Sequence, residues 1–268
     1  MFVRICFVLG AILALIWALL IPKLLFYTPL IFLAASLLLL LAGILFLFLC
    51  SLFCYGKKPV EKDHSFCRFL AYVTMDSILT VFRFRLQGEG LEQIPAEPCI
   101  LVCNHLSRFD PMVTFVLMKG RLLGFISKKE NLRIPIAGPI ISKIGFLPLD
   151  RENPLRAMRT LHQGAKLVRE KGYTMGIYPE GTRNRGTELM EFKTGAFVMA
   201  TKAKAPVVIC SITGTNEYRH NLPFHKTNAV FRVLEVLPAE EVSSRKAEEL
   251  ADYCRSRISE DWKPRSLQ

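Results

Sequence analysis

The first 56 residues contain no aspartate or glutamate, and their only charges are Arg4 and Lys23. The two charge-free runs between and after these cations hold 18 and 33 residues. At about 1.5 Å of rise per helical residue the first covers roughly 27 Å, just short of a hydrocarbon core of about 30 Å. The second is long enough to span, even with Pro29 delaying its start. No small-x-small cleavage site precedes a polar start, because another apolar run follows at once, so a signal peptide fits poorly. The prediction is two hydrophobic helices over residues 1–56, as a hairpin or sunk into one leaflet. A hairpin returns Arg4 and the Lys57-Lys58 pair to one side, which the positive-inside rule makes cytoplasmic.

Cysteine is present at eight positions, but no two form a CxxC pair. Without metal-ligand spacing they read as small buried hydrophobes in a reducing compartment, and no metal site is expected. Internal repeats and low-complexity linkers are also missing. The 212 residues after Gly56 carry 33 basic and 23 acidic side chains, a net charge of +10. A basic domain next to a membrane attracts anionic head groups or phosphorylated substrates. The basic residues are dispersed behind an apolar segment, so nucleic acid is not the expected partner.

From residue 57 onward the chain reads as one α/β domain. Phe66, Phe69, Leu70, Val73, Ile78 and Leu79 recur at helical spacing, giving an amphipathic linker helix over about 65–82, packed on the domain or lying on the bilayer. Strands are predicted at 84–87, 99–103, 122–127, 145–149, 173–178, 207–212 and 229–237. Helices are predicted at 111–118, 135–144, 155–170, 194–204 and 242–259. In the 155–170 helix Leu155, Met158, Leu161, Ala165 and Val168 form the expected inner stripe, with Asn153 as cap and Pro154 in the first turn. This alternation predicts a mixed, largely parallel sheet covered by helices on both faces.

The segment 99–110 reads CILVCNHLSRFD. In an unbroken helix five residues turn about 500°, leaving His105 and Asp110 about 140° apart. Pro111 favours a first helical position and Asp a cap, so Asp110 is expected to cap a helix begun at Pro111, with His105 in the preceding loop. That loop falls at the carboxyl end of a buried strand, where sites gather in open α/β sheets. A neutral imidazole there can deprotonate a hydroxyl, and a carboxylate on its other nitrogen fixes the tautomer. A bland alternative makes Asp110 only a cap. A second loop, YPEGTRN at 178–184, also follows a strand. Its turn amides with Arg183 could hold a phosphate, and Lys193 adds a cation just before a helix.

In order and combination these blocks resemble the glycerolipid acyltransferases of the lysophosphatidic acid acyltransferase type. Asn104, His105 and Asp110 match that family's Asn-His-x4-Asp block. Gly145, Asp150 and Arg151 match Gly-x4-Asp/Glu-Arg, and Tyr178 to Asn184 match Phe-Pro-Glu-Gly-Thr-Arg-Ser. Residues 205–210 match a last, Val-Pro-rich strand. The resemblance covers roughly residues 84–215. It implies a 1-acylglycerol-3-phosphate O-acyltransferase acting at the membrane from the cytoplasmic side. His105 would deprotonate the acceptor hydroxyl and Asp110 would orient it. Arg151, Glu180, Gly181, Thr182, Arg183 and Lys193 would hold the glycerol phosphate head, with Asn104 and Pro179 as motif support. The implied co-substrate is acyl-CoA or an acyl carrier protein, with no cofactor. Tyr178, Asn184, Cys210 and Pro148 depart from the family pattern and bear on the acceptor. Another lysolipid is therefore the alternative, ahead of a thiol hydrolase using Cys103 or a non-catalytic lipid binder.

Overall fold

Residues 99–103 have no polar face, and the structure shows why. The computed structural model describes residues 2–54, 64–186 and 188–262; the expected membrane exit at 57–64, with Lys57 and Lys58, lies outside the described residues except for His64. Strand β2 (Ile100–Cys103) is central in a seven-stranded sheet ordered β1-β7-β6-β2-β5-β3-β4. The other strands are β1 (Phe84–Glu89), β3 (Leu123–Lys128), β4 (Leu147–Leu149), β5 (Thr174–Ile177), β6 (Val207–Thr213) and β7 (Thr227–Leu237). Strands β2 to β6 run parallel. β7 is antiparallel to β6, and β1 is parallel to β7.

Because strand side chains alternate, Leu101 and Cys103 enter one core while Ile100 and Val102 enter the other. The first core lies under α3 (Ser65–Val81), α4 (Asp110–Leu117) and α5 (Ala137–Ser142). The second lies under α6 (Pro154–Lys171), α7 (Thr194–Ala203), α9 (Ala239–Ser244) and α10 (Ala247–Asp261). A strand covered on both faces needs apolar residues at every position. The short α8 (Tyr218–Asn221) sits between β6 and β7.

Helices α1 (Phe2–Leu20) and α2 (Thr28–Phe53) are long and apolar enough to cross a membrane. Their apolar windows are only 17% and 11% buried, unlike core helices of a water-soluble domain. They pack on each other with Gly10 of α1 against Ser36 of α2, and Cys6, Ala14 and Gly43 are also buried. A Cβ on Gly10 would collide with Ser36 Oγ, so the helices approach as small-residue interfaces in bilayers do. Helix α3 packs on the domain through Cys67, Leu70, Val73 and Leu79, while Phe66 and Phe69 stay exposed.

Three expectations change. The α6 stripe holds from Leu161 to Val168, but Leu155 is 76% exposed and Met158 is also exposed. Thr160 already bonds Pro148 in the three-residue edge strand β4. Leu155, five residues earlier, therefore overhangs the sheet by about 8 Å. The last helix is split into α9 and α10. Arg245 and Lys246 are extended, and Glu249 accepts from the Lys246 N–H to start the second helix. Asp110 lies inside the first turn of α4 rather than capping it, and Ser107 holds the preceding turn by accepting from the Phe109 N–H.

Candidate active site

At the carboxyl end of β2, Asn104 is wholly buried and acts as a clip. Its Oδ1 accepts from Ile212 N–H at 2.8 Å, and its Nδ2 donates to Ile212 O at 2.9 Å. This holds the loop to β6 and turns the next residue, His105, upward. His105 Nδ1 lies 2.8 Å from Asp110 Oδ2. The same oxygen accepts from the N–H groups of Leu106 at 2.6 Å and Ser107 at 2.8 Å. Asp110 thus reaches backward over its own loop. An ionised carboxylate only accepts, so Nδ1 carries the proton and Nε2 is left with its lone pair. That arrangement suits a base.

The other carboxylate oxygen, Oδ1, accepts from Ser107 Oγ at 3.2 Å and from the hydroxyl of Thr215. Thr215 is completely buried and was not among the residues expected from sequence. It is placed by Gly214, whose φ of +83° and close approach to Asn228 O leave room only for glycine. The available signal was a Gly-Thr pair directly after a buried strand, at the same sheet edge as His105.

The 178–184 loop grips His105 from both peptide groups. Glu180 Oε1 accepts from the His105 N–H at 2.7 Å, and Asn184 N–H donates to the His105 carbonyl at 2.6 Å. The Tyr178 ring stacks on the imidazole at 4.4 Å, and Phe125 backs Tyr178 at 5.9 Å. Glu180 is only 1% exposed, and among the described residues its second oxygen makes no hydrogen bond. Burial pushes its carboxyl above the usual carboxylate range, an effect opposed by the His105 N–H. Burial also pushes the Tyr178 phenol well up. The Cys103 thiol is held neutral in the same way and is 4% exposed, which removes it as a nucleophile.

Two open clefts adjoin this grip. One, of about 590 Å³, is lined by Thr182, Arg183 and Arg185; the other, of about 670 Å³, by Glu180 and Lys193. They share Met190. The Lys193 side chain lies across Gly181, and Lys193 N–H donates to the carbonyl of buried Pro179. Arg151 is exposed, lies outside both clefts and sits beyond β4, three strands from β2. Gly145 of the same block is structural: its φ is +93°, and a Cβ would lie 2.8 Å from Tyr173.

Residues 85–213 match the sequence model of a family described as Acyltransferase. This segment is similar to the acyltransferase family. The chain is 32% identical over 180 residues to a chloroplastic 1-acyl-sn-glycerol-3-phosphate acyltransferase of Brassica napus, covering 66% of this chain and 51% of the relative. It is 31% identical over 158 residues to the 1-acyl-sn-glycerol-3-phosphate acyltransferase of Escherichia coli strain K12, covering 59% and 64%. The human beta form of that enzyme is 32% identical over 162 residues, covering 59% and 58%. The matches thus span about half to under two thirds of each curated relative's length. The crystal structure of the 1-acyl-sn-glycerophosphate acyltransferase PlsC from Thermotoga maritima superposes with a TM-score of 0.62 at 24% identity, covering 83% of this chain and 88% of that one. That likeness is one of fold. Thr215 lies just beyond the segment matched by the family model.

Proposed function

We propose that this protein transfers a fatty acyl group from an acyl thioester to the sn-2 hydroxyl of lysophosphatidic acid, giving phosphatidic acid. The relatives' names support the acceptor. The observation that carries the chemistry is the 2.8 Å His105–Asp110 contact with Nε2 left free, braced by the 178–184 loop. Nε2 takes the acceptor's hydroxyl proton as that oxygen bonds to the thioester carbonyl carbon. Collapse of the tetrahedral intermediate breaks the C–S bond, and the imidazolium returns the proton to the leaving sulfur. Asp110 stabilises the imidazolium in between. No protein nucleophile is consumed.

Thr182, Arg183 and Lys193 bind the phosphate of the acceptor from the two clefts, and Arg185 joins them. Glu180 acts through His105 rather than on the phosphate, since a buried carboxylate beside an anion would repel it. The thioester is carried by coenzyme A or an acyl carrier protein, partners whose negative charge suits the basic domain. Helices α1 and α2 hold the enzyme in the membrane, with the domain on the cytoplasmic side near Arg4. The test is product formation by purified full-length protein in vesicles, with a panel of lysolipids and both donors. Phosphatidic acid is expected; product from another lysolipid but none from lysophosphatidic acid would overturn the acceptor assignment.

A further inference from the structure

An amphiphilic acceptor has to present its hydroxyl at the sheet edge that carries His105. The strand directions define what else lies on that edge. β6 is parallel to β2, so Thr213 ends there; β7 is antiparallel to β6, so Thr227 begins there; β1 is parallel to β7, so Phe84 begins there too. At 4.7–4.9 Å per strand, β7 and β1 lie about 10 and 15 Å from β2. The α3–β1 turn and the loop after α8 therefore flank the candidate active site.

That loop holds an aromatic ring out of the protein. Phe224 is 81% exposed, and Val81 in the neighbouring turn is 57% exposed. The exposure comes from a braced backbone. Arg83 Nη2 donates to Phe224 O at 3.3 Å, Thr227 N–H donates to Arg83 O at 3.0 Å, and His225 N–H donates to Asn221 O at 2.7 Å. Arg83 itself has φ of +56°, a strained conformation for a side-chain-bearing residue. Beneath it, Phe82, Phe84, Phe109 and Tyr218 form one aromatic cluster with centroids 4.8 to 6.5 Å apart, tying the loop to α4 of the site. Exposed Arg83, whose side chain bonds the Phe224 carbonyl, and exposed Lys226 flank Phe224, Arg219 is exposed on the preceding α8, and Glu217 is the only acid between Gly214 and Lys226. An aromatic tip with a cationic collar matches the boundary of an anionic bilayer, where the ring enters the acyl region and the cations meet head groups.

We propose that Phe224 and Val81 form a second membrane contact, which seats the His105 edge on the lipid surface independently of α1 and α2. The inference rests on the membrane-acting enzyme proposed above. Phe224→Cys carrying an environment-sensitive fluorophore tests it in full-length protein reconstituted in phosphatidylglycerol-containing vesicles. All eight native cysteines are buried, so labelling is selective. Leu38→Cys in α2 reports the anchor, and Lys204→Cys, at the opposite sheet edge before β6, reports bulk solvent. The expected result is blue-shifted emission quenched by doxyl-labelled lipid at positions 224 and 38 but not at 204. Quenching at 38 without 224 overturns the second contact while leaving the membrane reading intact. Absence of quenching at both overturns the two together. A blue shift at 224 that doxyl lipid does not quench means a protein contact and also overturns it. As a functional arm, Phe224→Asp is expected to raise KM for long-chain acceptor in vesicles about tenfold, with kcat for a monomeric short-chain acceptor unchanged; equal losses on both acceptors would refute the proposal.

Discussion

The Thr215 hydroxyl donates to Oδ1 of Asp110 across 105 residues of sequence, while Oδ2 of the same carboxylate serves His105, Leu106 and Ser107. Both oxygens are therefore committed, and the carboxylate cannot swing away from the imidazole. Thr215→Val leaves a buried acceptor short of a donor, at a cost of about 1–3 kcal/mol. Part of that cost is expected to appear as a roughly tenfold fall in kcat with KM little changed, and the rest as lost thermal stability. Thr215→Ser should restore both. A fall in thermal stability alone, with kcat unchanged, would mark Thr215 as purely structural.

His105→Ala is expected to lower kcat by about 100- to 10,000-fold, the usual contribution of a positioned base. Asp110→Asn should cost a similar factor, since an amide nitrogen turned toward Nδ1 favours the wrong tautomer. Single-turnover assays in vesicles check both, with circular dichroism to confirm folding.

Glu180 separates positioning from binding. Glu180→Gln keeps an acceptor for the His105 N–H and should retain kcat within about threefold, whereas Glu180→Ala should lower it about tenfold with KM little changed. A KM rise in the Gln variant would instead show that the charge touches substrate.

The Glu180 carboxyl also predicts a pH effect on stability. Its folded value is raised above the ordinary 4.5, so the native state holds this proton more tightly than the unfolded chain does. Stability from this group is thus present below the ordinary value, is lost as pH rises through the raised one, and stays lost above it. Melting temperatures of Glu180→Gln and the parent should diverge in favour of the Gln variant across that window and run parallel beyond it.

Cys103→Ala should leave kcat largely intact, because the thiol is buried and neutral. Gly145→Ala should instead destabilise by about 1–3 kcal/mol, read from chemical denaturation, since it combines a positive φ with a Cβ too close to Tyr173.

The apolar hairpin, the α/β alternation, the central buried strand and the His105–Asp110 pair were legible in the amino-acid order, because these depend on local chemistry: runs without charge, periodicity and the residue types of a short loop. The same order also located the 178–184 loop as a phosphate pocket, whereas the loop's clamp on the His105 peptide appeared only in the fold. The folded arrangement was needed to show which way the Asp110 carboxylate turns, that Asn104 and Glu180 are buried supports, that Leu155 overhangs the sheet, and that Arg151 stands outside both clefts. It alone brought Thr215 to Asp110 and Phe224 to the edge that holds His105. The physical reason is the same in each case. Burial and hydrogen-bond partners are set by which strands lie side by side, and the order β6-β2-β5 joins segments that are dozens of residues apart in the chain.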